Sequence, residues 1–412
     1  MFRVMALASL VALAGCHRQA DAPGDSPTGL AVTPGDGRVT VSWDEQPGLT
    51  YWIFFQPGGT VTAAAPGVPL IFGARSPHII SGLGNGTRFA FVMNATNNDS
   101  RGGPSSPVVT AVPRLAGAIW TAGVPLGGSA PQNLNGVAYA VVPNRIVAVG
   151  NAGTLFTGDY NYTRTTPPPG VTEWTQATLP TGFASDLSAV TTSGSQFIAL
   201  GTDGSILTST DGNTWVLAAP IPDNGMNGIT VGVSSGALLY VAVGTAGKIF
   251  TSPDLVKWTA VVPPPTGSDL YSVSFLIGGF VATGADGALL TSPEGRIWKV
   301  QDKKTPNALR SAAFGTGSAG PRFVVVGDAG TILTSTDGTD WSVTTLPSSQ
   351  NLRGIAFGSR FVAVGQGNLV VHSDDAITWV PALSGTADLA AIAFAPAMYV
   401  AVGAAGANTV SK

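Results

Sequence analysis

The chain holds 412 residues, more than one ordinary domain needs, with only 10% of them charged, 54 glycines and 30 prolines. That apolar, small, turn-rich balance favours many short strands over helices, and a net charge of −3 excludes a global field drawing the protein to nucleic acid or anionic lipid. A single cysteine (Cys16) excludes an internal disulfide and a thiolate metal site, and three histidines (His17, His78, His372) give little basis for zinc or histidine catalysis, so no metal and no cofactor is expected.

Residues 1–16 read as a targeting segment. Arg3 gives a positive start, and the apolar run 4–15 is too short to span a bilayer. Leu13-Ala14-Gly15-Cys16 resembles the lipobox of bacterial lipoproteins. The resemblance implies cleavage before Cys16, lipid attachment to its thiol and three acyl chains, enough for stable anchoring. His17 replaces the Asp that marks inner-membrane retention in that family. The expected location is therefore the cell envelope, lipid-anchored in the outer membrane of a Gram-negative bacterium, with no transmembrane helix. Residues 17–25 are polar with Pro and Gly and read as a tether.

Residues 26–114 carry period-two apolar runs at 38–43, 51–55, 88–95 and 106–112, separated by Gly-, Pro- and Asn-rich turns. The order of anchors resembles a fibronectin type III domain: the 26–32 opening, Trp43 closing the second strand, Leu83 to Phe89, and a last hairpin over 90–107. Phe89 stands where that family has Tyr, so the hydrogen bond of its tyrosine corner is absent. Trp43 and Trp52 read as core residues.

From residue 115 to 412 the pattern becomes a repeat. A glycine-rich turn runs into a short strand and on to tryptophan in five copies of equal length, over 201–215, 244–258, 284–298, 327–341 and 365–379. A sixth copy starts at Gly150 and reaches Trp174 after an insertion; a seventh, 403–412, has no tryptophan. A spacing near 40 residues, with four short strands per unit, predicts a radial array of antiparallel sheets, a seven-bladed β-propeller. Trp120 precedes the first complete unit. Residues 116–122 are therefore expected to supply the outer strand of the last blade, closing the ring with both chain ends. The predicted fold class is all-β, a sandwich followed by this propeller.

The Ser-x-Asp-Gly-x-x-Trp segments at Ser209–Trp215 and Ser335–Trp341 resemble the Asp box of bacterial-neuraminidase-type repeats, one residue shorter than usual. The resemblance implies that Asp211, Asp254 and Asp337 hold turn amides while the aromatic packs beneath. It extends to photosystem II assembly factors, propellers that serve as docking platforms. The sialidase arginine signature is absent. Two other patterns are set aside: Gly232-Val-Ser234-Ser-Gly236 and the glycine-rich 315–320 both fall in hairpins without the helix their chemistry needs.

Strand direction places one residue per blade at the mouth of the channel: Asn135, Ser188, Asn227, Tyr271, Arg310, Arg353 and Ala390. Asp186, Asp269 and Asp388 flank them, and the 299–309 loop adds Lys303 and Lys304. The basic sector (Lys303, Lys304, Arg310, Arg353) suits an acidic peptide or anionic glycan. The plainer alternative is that these groups are solvated or pair with neighbouring aspartates. The insertion 159–173, with Tyr160, Tyr162 and Arg164, is assigned to the opposite face. The reading is a non-catalytic binding or assembly platform for a protein or glycan. A glycan-active enzyme (sialidase-like hydrolase or lyase) and a structural adhesin remain the alternatives.

Overall fold

The structure, a computed structural model, describes residues 22–97, 102–127, 132–161, 170–382 and 387–411. Cys16, the rest of segment 1–16, Tyr162 and Arg164 lie outside the described residues. Among those described, every regular element is a strand apart from five three-residue 3-10 turns, and no helix is long and apolar enough to cross a membrane. The described residues divide into two units. One takes the segments up to residue 33, 40–80 and 87–112; the other takes 34–39, 81–86 and 113 onward.

The first unit is built on a four-stranded antiparallel sheet. Its order is Leu70–Ala74, Leu49–Pro57, Phe89–Asn97, Val109–Ala111, and a smaller sheet joins Ala31–Gly35, Arg38–Ser42 and His78–Ser81. Alternation decides the inward face: Tyr51, Ile53, Phe91 and Met93 are buried, and the Trp43 ring lies 5.4 Å from Tyr51. Phe89 is buried too. Trp52 points the other way and is only half-buried, edge-on to the exposed Phe72 at 5.2 Å.

The described residues of the second unit form seven four-stranded antiparallel sheets. We name the strands of each sheet A to D. In the second sheet they are Leu187–Thr192, Phe197–Gly201, Ile206–Ser209 and Val216–Leu217. The other A strands are Leu134–Ala140, Met226–Ser234, Leu270–Leu276, Leu309–Gly317, Leu352–Phe357 and Leu389–Ala395. Each A strand neighbours the next, and the last neighbours the first, so the sheets form a closed ring.

Both faces of each sheet are apolar because each faces another sheet. One cluster fills every gap; Ile198, Leu200 and Ile206 meet Met226, Ile229 and Tyr240, for example. The closing gap is filled by Leu134, Ile146 and Trp174 against Met398, Val400 and Val402. Each such side chain contributes about 1.5–3 kcal/mol by leaving water. Neighbouring A strands approach so closely that small residues are required at their third position. A Cβ on Gly228 would lie 3.0 Å from the Ser272 Cα, and one on Gly136 3.1 Å from the Val190 amide.

The D strand of the seventh sheet comes from the other end of the unit. Thr121 pairs with Val410 and Ala122 with Thr409. The regular strand is Thr121–Ala122 alone, shorter than the 116–122 expected. The preceding residues form a turn instead, with Gly117 at φ +99 and the Trp120 indole donating to the Gly117 carbonyl at 2.9 Å.

Candidate functional site

The A strands share a fault in their pairing. In the second sheet Leu187 faces Gly201 and Ala189 faces Leu200, which leaves Ser188 as an extra residue. The same one-residue shift isolates Asn227, Tyr271, Arg310, Arg353 and Ala390, and a shift of the register between Val149 and Gly150 does so for Asn135. A bulge frees a side chain from the alternation and re-aims it. All seven bulged residues line one cavity of about 500 Å³ on the ring axis.

Their partners differ. The Asn135 amide donates to the Leu187 carbonyl of the next sheet at 2.9 Å and to Asn151 Oδ1 at 2.8 Å, and the Asn227 amide donates to the Leu270 carbonyl at 2.8 Å. Arg310 is bidentate on Asp328, Nε to Oδ1 at 2.9 Å and Nη2 to Oδ2 at 2.6 Å, while its guanidinium lies 4.3 Å over the Tyr271 ring. The Asp328 hydrogen bond, opposed by burial, raises the Arg310 pKa above its ordinary value. Arg353, one sheet on, is half-buried and makes no ion pair among the described residues. Of the two arginines of the basic sector, one is thus committed and the other open.

Other members of the sequence-derived set stand elsewhere. Lys303 and Lys304 are exposed and do not line the cavity. Asp186 does not line it either. Its Oδ1 accepts from the Ala152 amide in the B–C turn of the preceding sheet at 2.7 Å. Asp269 does the same for Ala246 at 2.8 Å, Asn351 for Ala329 at 2.9 Å, Asp388 for Gly367 at 2.7 Å, and Asn133 for Ala405 at 3.0 Å across the ring closure. These residues immediately precede strand A and clasp neighbouring sheets together. Each receiving amide belongs to a residue of positive φ (51° at Ala152, 54° at Ala246), a conformation that is costly for alanine and that the clasp helps to hold. The recurrence of Asn or Asp at this one position was the available signal.

The turn aspartates are engaged in their own loops. Asp211 Oδ1 accepts from the amides of Asn213 and Thr214 at 2.7 and 2.8 Å, and Asp254, Asp337 and Asp375 repeat the pattern. Asp374 instead pairs with Arg360, Nε to Oδ1 at 2.8 Å. Arg360 Nη1 lies 3.0 Å from His372 Nδ1, and arginine can only donate, so that nitrogen is an acceptor and the ring is neutral. Burial, then the Arg360 charge, lowers the His372 pKa. Ser234 lies at the end of the A strand Met226–Ser234, leading into its hairpin with Ala237–Gly244. Among the described residues no group of three acidic, His or Cys side chains could hold a metal ion.

No protein-family model matches the chain, and no curated protein matches it. The fold is similar to solved β-propellers. YCF48 from Cyanidioschyzon merolae is 18% identical over 71% of this chain and 98% of its own, with a TM-score of 0.53. Virginiamycin B lyase from Staphylococcus aureus is 14% identical over 71% and 99%, TM-score 0.58. The WD40 β-propeller domain of Doa1 is 13% identical over 71% and 97%, TM-score 0.53. At these identities the likeness concerns the fold alone.

Proposed function

We propose that the mouth of the ring is a non-catalytic docking platform for a protein segment bearing an acidic side chain. The observation that carries this reading is Arg353: a bulge aims its guanidinium at the axial cavity, and no carboxylate among the described residues pairs with it. One structure of similar fold, at 18% identity and a TM-score of 0.55, is YCF48 bound to D1 peptide, which supports peptide binding on such a frame. A glycan is the weaker choice of ligand. Tyr271 is the single aromatic among the seven mouth residues, and its face is covered by Arg310. Most glycoside hydrolases use two carboxylates facing each other across the bond they cleave. Asp186, Asp269 and Asp388 are each tied to a turn amide.

In this reading the second unit is a seven-bladed propeller of the neuraminidase-repeat class, and the first is a fibronectin type III spacer. Cys16 anchors the chain to the outer membrane of the cell envelope. The mass of the mature N-terminus tests the anchor. Fluorescence anisotropy with a labelled Glu-rich peptide tests the platform. Arg353→Ala lowers its affinity roughly tenfold at low salt, the size of one charge-assisted hydrogen bond. Equal affinities for wild type and variant overturn it.

A further inference from the structure

The clasps between sheets are incomplete at two gaps. Between the second and third sheets Gly225 stands at the clasp position, and the amides of Gly225 and Met226 bond the Thr202 carbonyl directly at 2.7 and 3.1 Å. Between the fourth and fifth sheets the position is Ala308, and among the described residues neither kind of link is present. The receiving turn is nevertheless built in the same way. Asp286 has φ 53°, as Ala246 has 54° and Ala329 53°, so its amide has the same orientation relative to its turn. Asp286 is exposed, and among the described residues its amide has no acceptor. Arg310 and Tyr271 span the same gap at the rim of the axial cavity.

From this we infer that the gap between the fourth and fifth sheets is a binding site for the primary carboxamide of an Asn or Gln side chain on the docked protein. The inference rests on the mouth being a docking surface. The five completed clasps show which groups fit the turn amide: the carboxamide oxygen of Asn133 and Asn351, and a carboxylate oxygen of Asp186, Asp269 and Asp388. Local charge chooses between them. Where the clasped turns have Ala or Gly, this one has Asp286, whose carboxylate opposes a second carboxylate and accepts from a carboxamide NH2. Arg310 does not reverse that preference, because Asp328 already pairs with it at 2.6 Å.

The test uses isotope-labelled full-length protein and two blocked single-residue probes, N-acetyl-asparagine methylamide and N-acetyl-aspartate methylamide. The asparagine probe shifts the Asp286 amide resonance saturably and leaves those of Ala246, Ala329 and Ala405 in place. The aspartate probe binds roughly fourfold more weakly, the effect of one like charge about 5 Å away in water. Ala308→Asn abolishes the Asp286 response by supplying the group from within; asparagine already occupies this position in two sister sheets, so the variant is expected to fold. An Asp286 amide that does not move with either probe overturns the inference, as does an equal response in Ala308→Asn. Arg353→Ala separates the two readings. A retained Asp286 response with lost acidic-peptide affinity supports both. A retained Asp286 response with unchanged acidic-peptide affinity overturns the docking reading alone.

Discussion

The Ser411 hydroxyl accepts a hydrogen bond from the Gly117 amide at 2.8 Å, across 294 positions of sequence. Inside single repeats the same bond joins Gly212 to Ser209 at 2.8 Å, Gly295 to Ser292 at 2.7 Å and Gly338 to Ser335 at 2.9 Å. The indole bond from Trp120 to the Gly117 carbonyl likewise matches that from Trp215 to Gly212. The turn that these repeats form locally is assembled here from two distant segments. The Ser411 hydroxyl also donates to the Ile119 carbonyl at 2.5 Å.

Replacing Ser411 by Ala should therefore lower stability by about 1–2 kcal/mol in urea unfolding. Gly117→Ala should cost more. Its φ of +99 is poor for alanine, and a Cβ there would lie 2.6 Å from Val362 Cγ2. If Ser411→Ala proves neutral, the split turn does not hold the ring shut.

Of the tryptophans of these turns, Trp215 and Trp341 are buried, while Trp258, Trp298 and Trp379 are half-buried. Trp341 is buried beside Phe323, with ring centroids 6.3 Å apart. Trp341→Ala should cost roughly 3–5 kcal/mol. Thermal unfolding indistinguishable from wild type would remove Trp341 from the core.

Acid should loosen the ring through its turn aspartates. The amides of Asp340 and Thr339 hold the Asp337 carboxyl far below its ordinary range. For Asp211, burial pushes upward, but the amides of Thr214 and Asn213 and the Ser209 hydroxyl outweigh it. Asp254 is lowered by the amides of Lys257 and Val256. A carboxylate whose pKa is lower folded than unfolded stabilises the fold above the unfolded value of about 3.9, and that contribution is lost as pH falls through the folded value. Tm should stay level from about pH 7 to 5 and fall below about pH 4. A triple variant with Asn at positions 211, 254 and 337 should start lower and fall less steeply. Parallel Tm–pH curves would show that these carboxylates do not govern the acid transition.

The two mouth arginines should separate in function. Arg310→Ala leaves Asp328 without its partner and should cost about 1–2 kcal/mol of stability. Arg353→Ala should leave stability within about 0.5 kcal/mol of wild type. Chemical denaturation of both variants measures the difference; a reversed order would mean that Arg353, and not Arg310, is the structural one.

Much of this frame is readable from tryptophans. Trp120 without a preceding complete unit, and a last repeat without its tryptophan, together point to the pairing of Thr121–Ala122 with Thr409–Val410. What strand periodicity conceals is the bulge. Strand direction puts Tyr271 and Arg353 at the channel mouth, but alternation does not reveal the extra residue in the pairing there, because the bulge breaks the period on which that reading depends. Asp186, Asp269 and Asp388 look like rim ligands when only loop direction is known. Their amide partners belong to the neighbouring repeat and become visible only once the sheets are side by side. The Arg310–Asp328 pair was hidden for a related reason: 18 residues separate two groups that the A–B hairpin brings back to the same end of the sheet.

In every sheet one of the residues lining the axial cavity has no register partner on a neighbouring strand. Serine, asparagine, tyrosine, arginine and alanine all occupy this position while the flanking pairs, such as Leu309 with Gly327 and Ser311 with Val326, stay in register. The rim is therefore a fixed wheel with unequal sockets: Ala390 shows that the sheet forms with no polar link there, whereas Asn135 and Asn227 tie their sheets to the next and Arg310 holds Asp328. Exchange should cost little at Ala390 and Arg353 and more at the three residues that carry such a link.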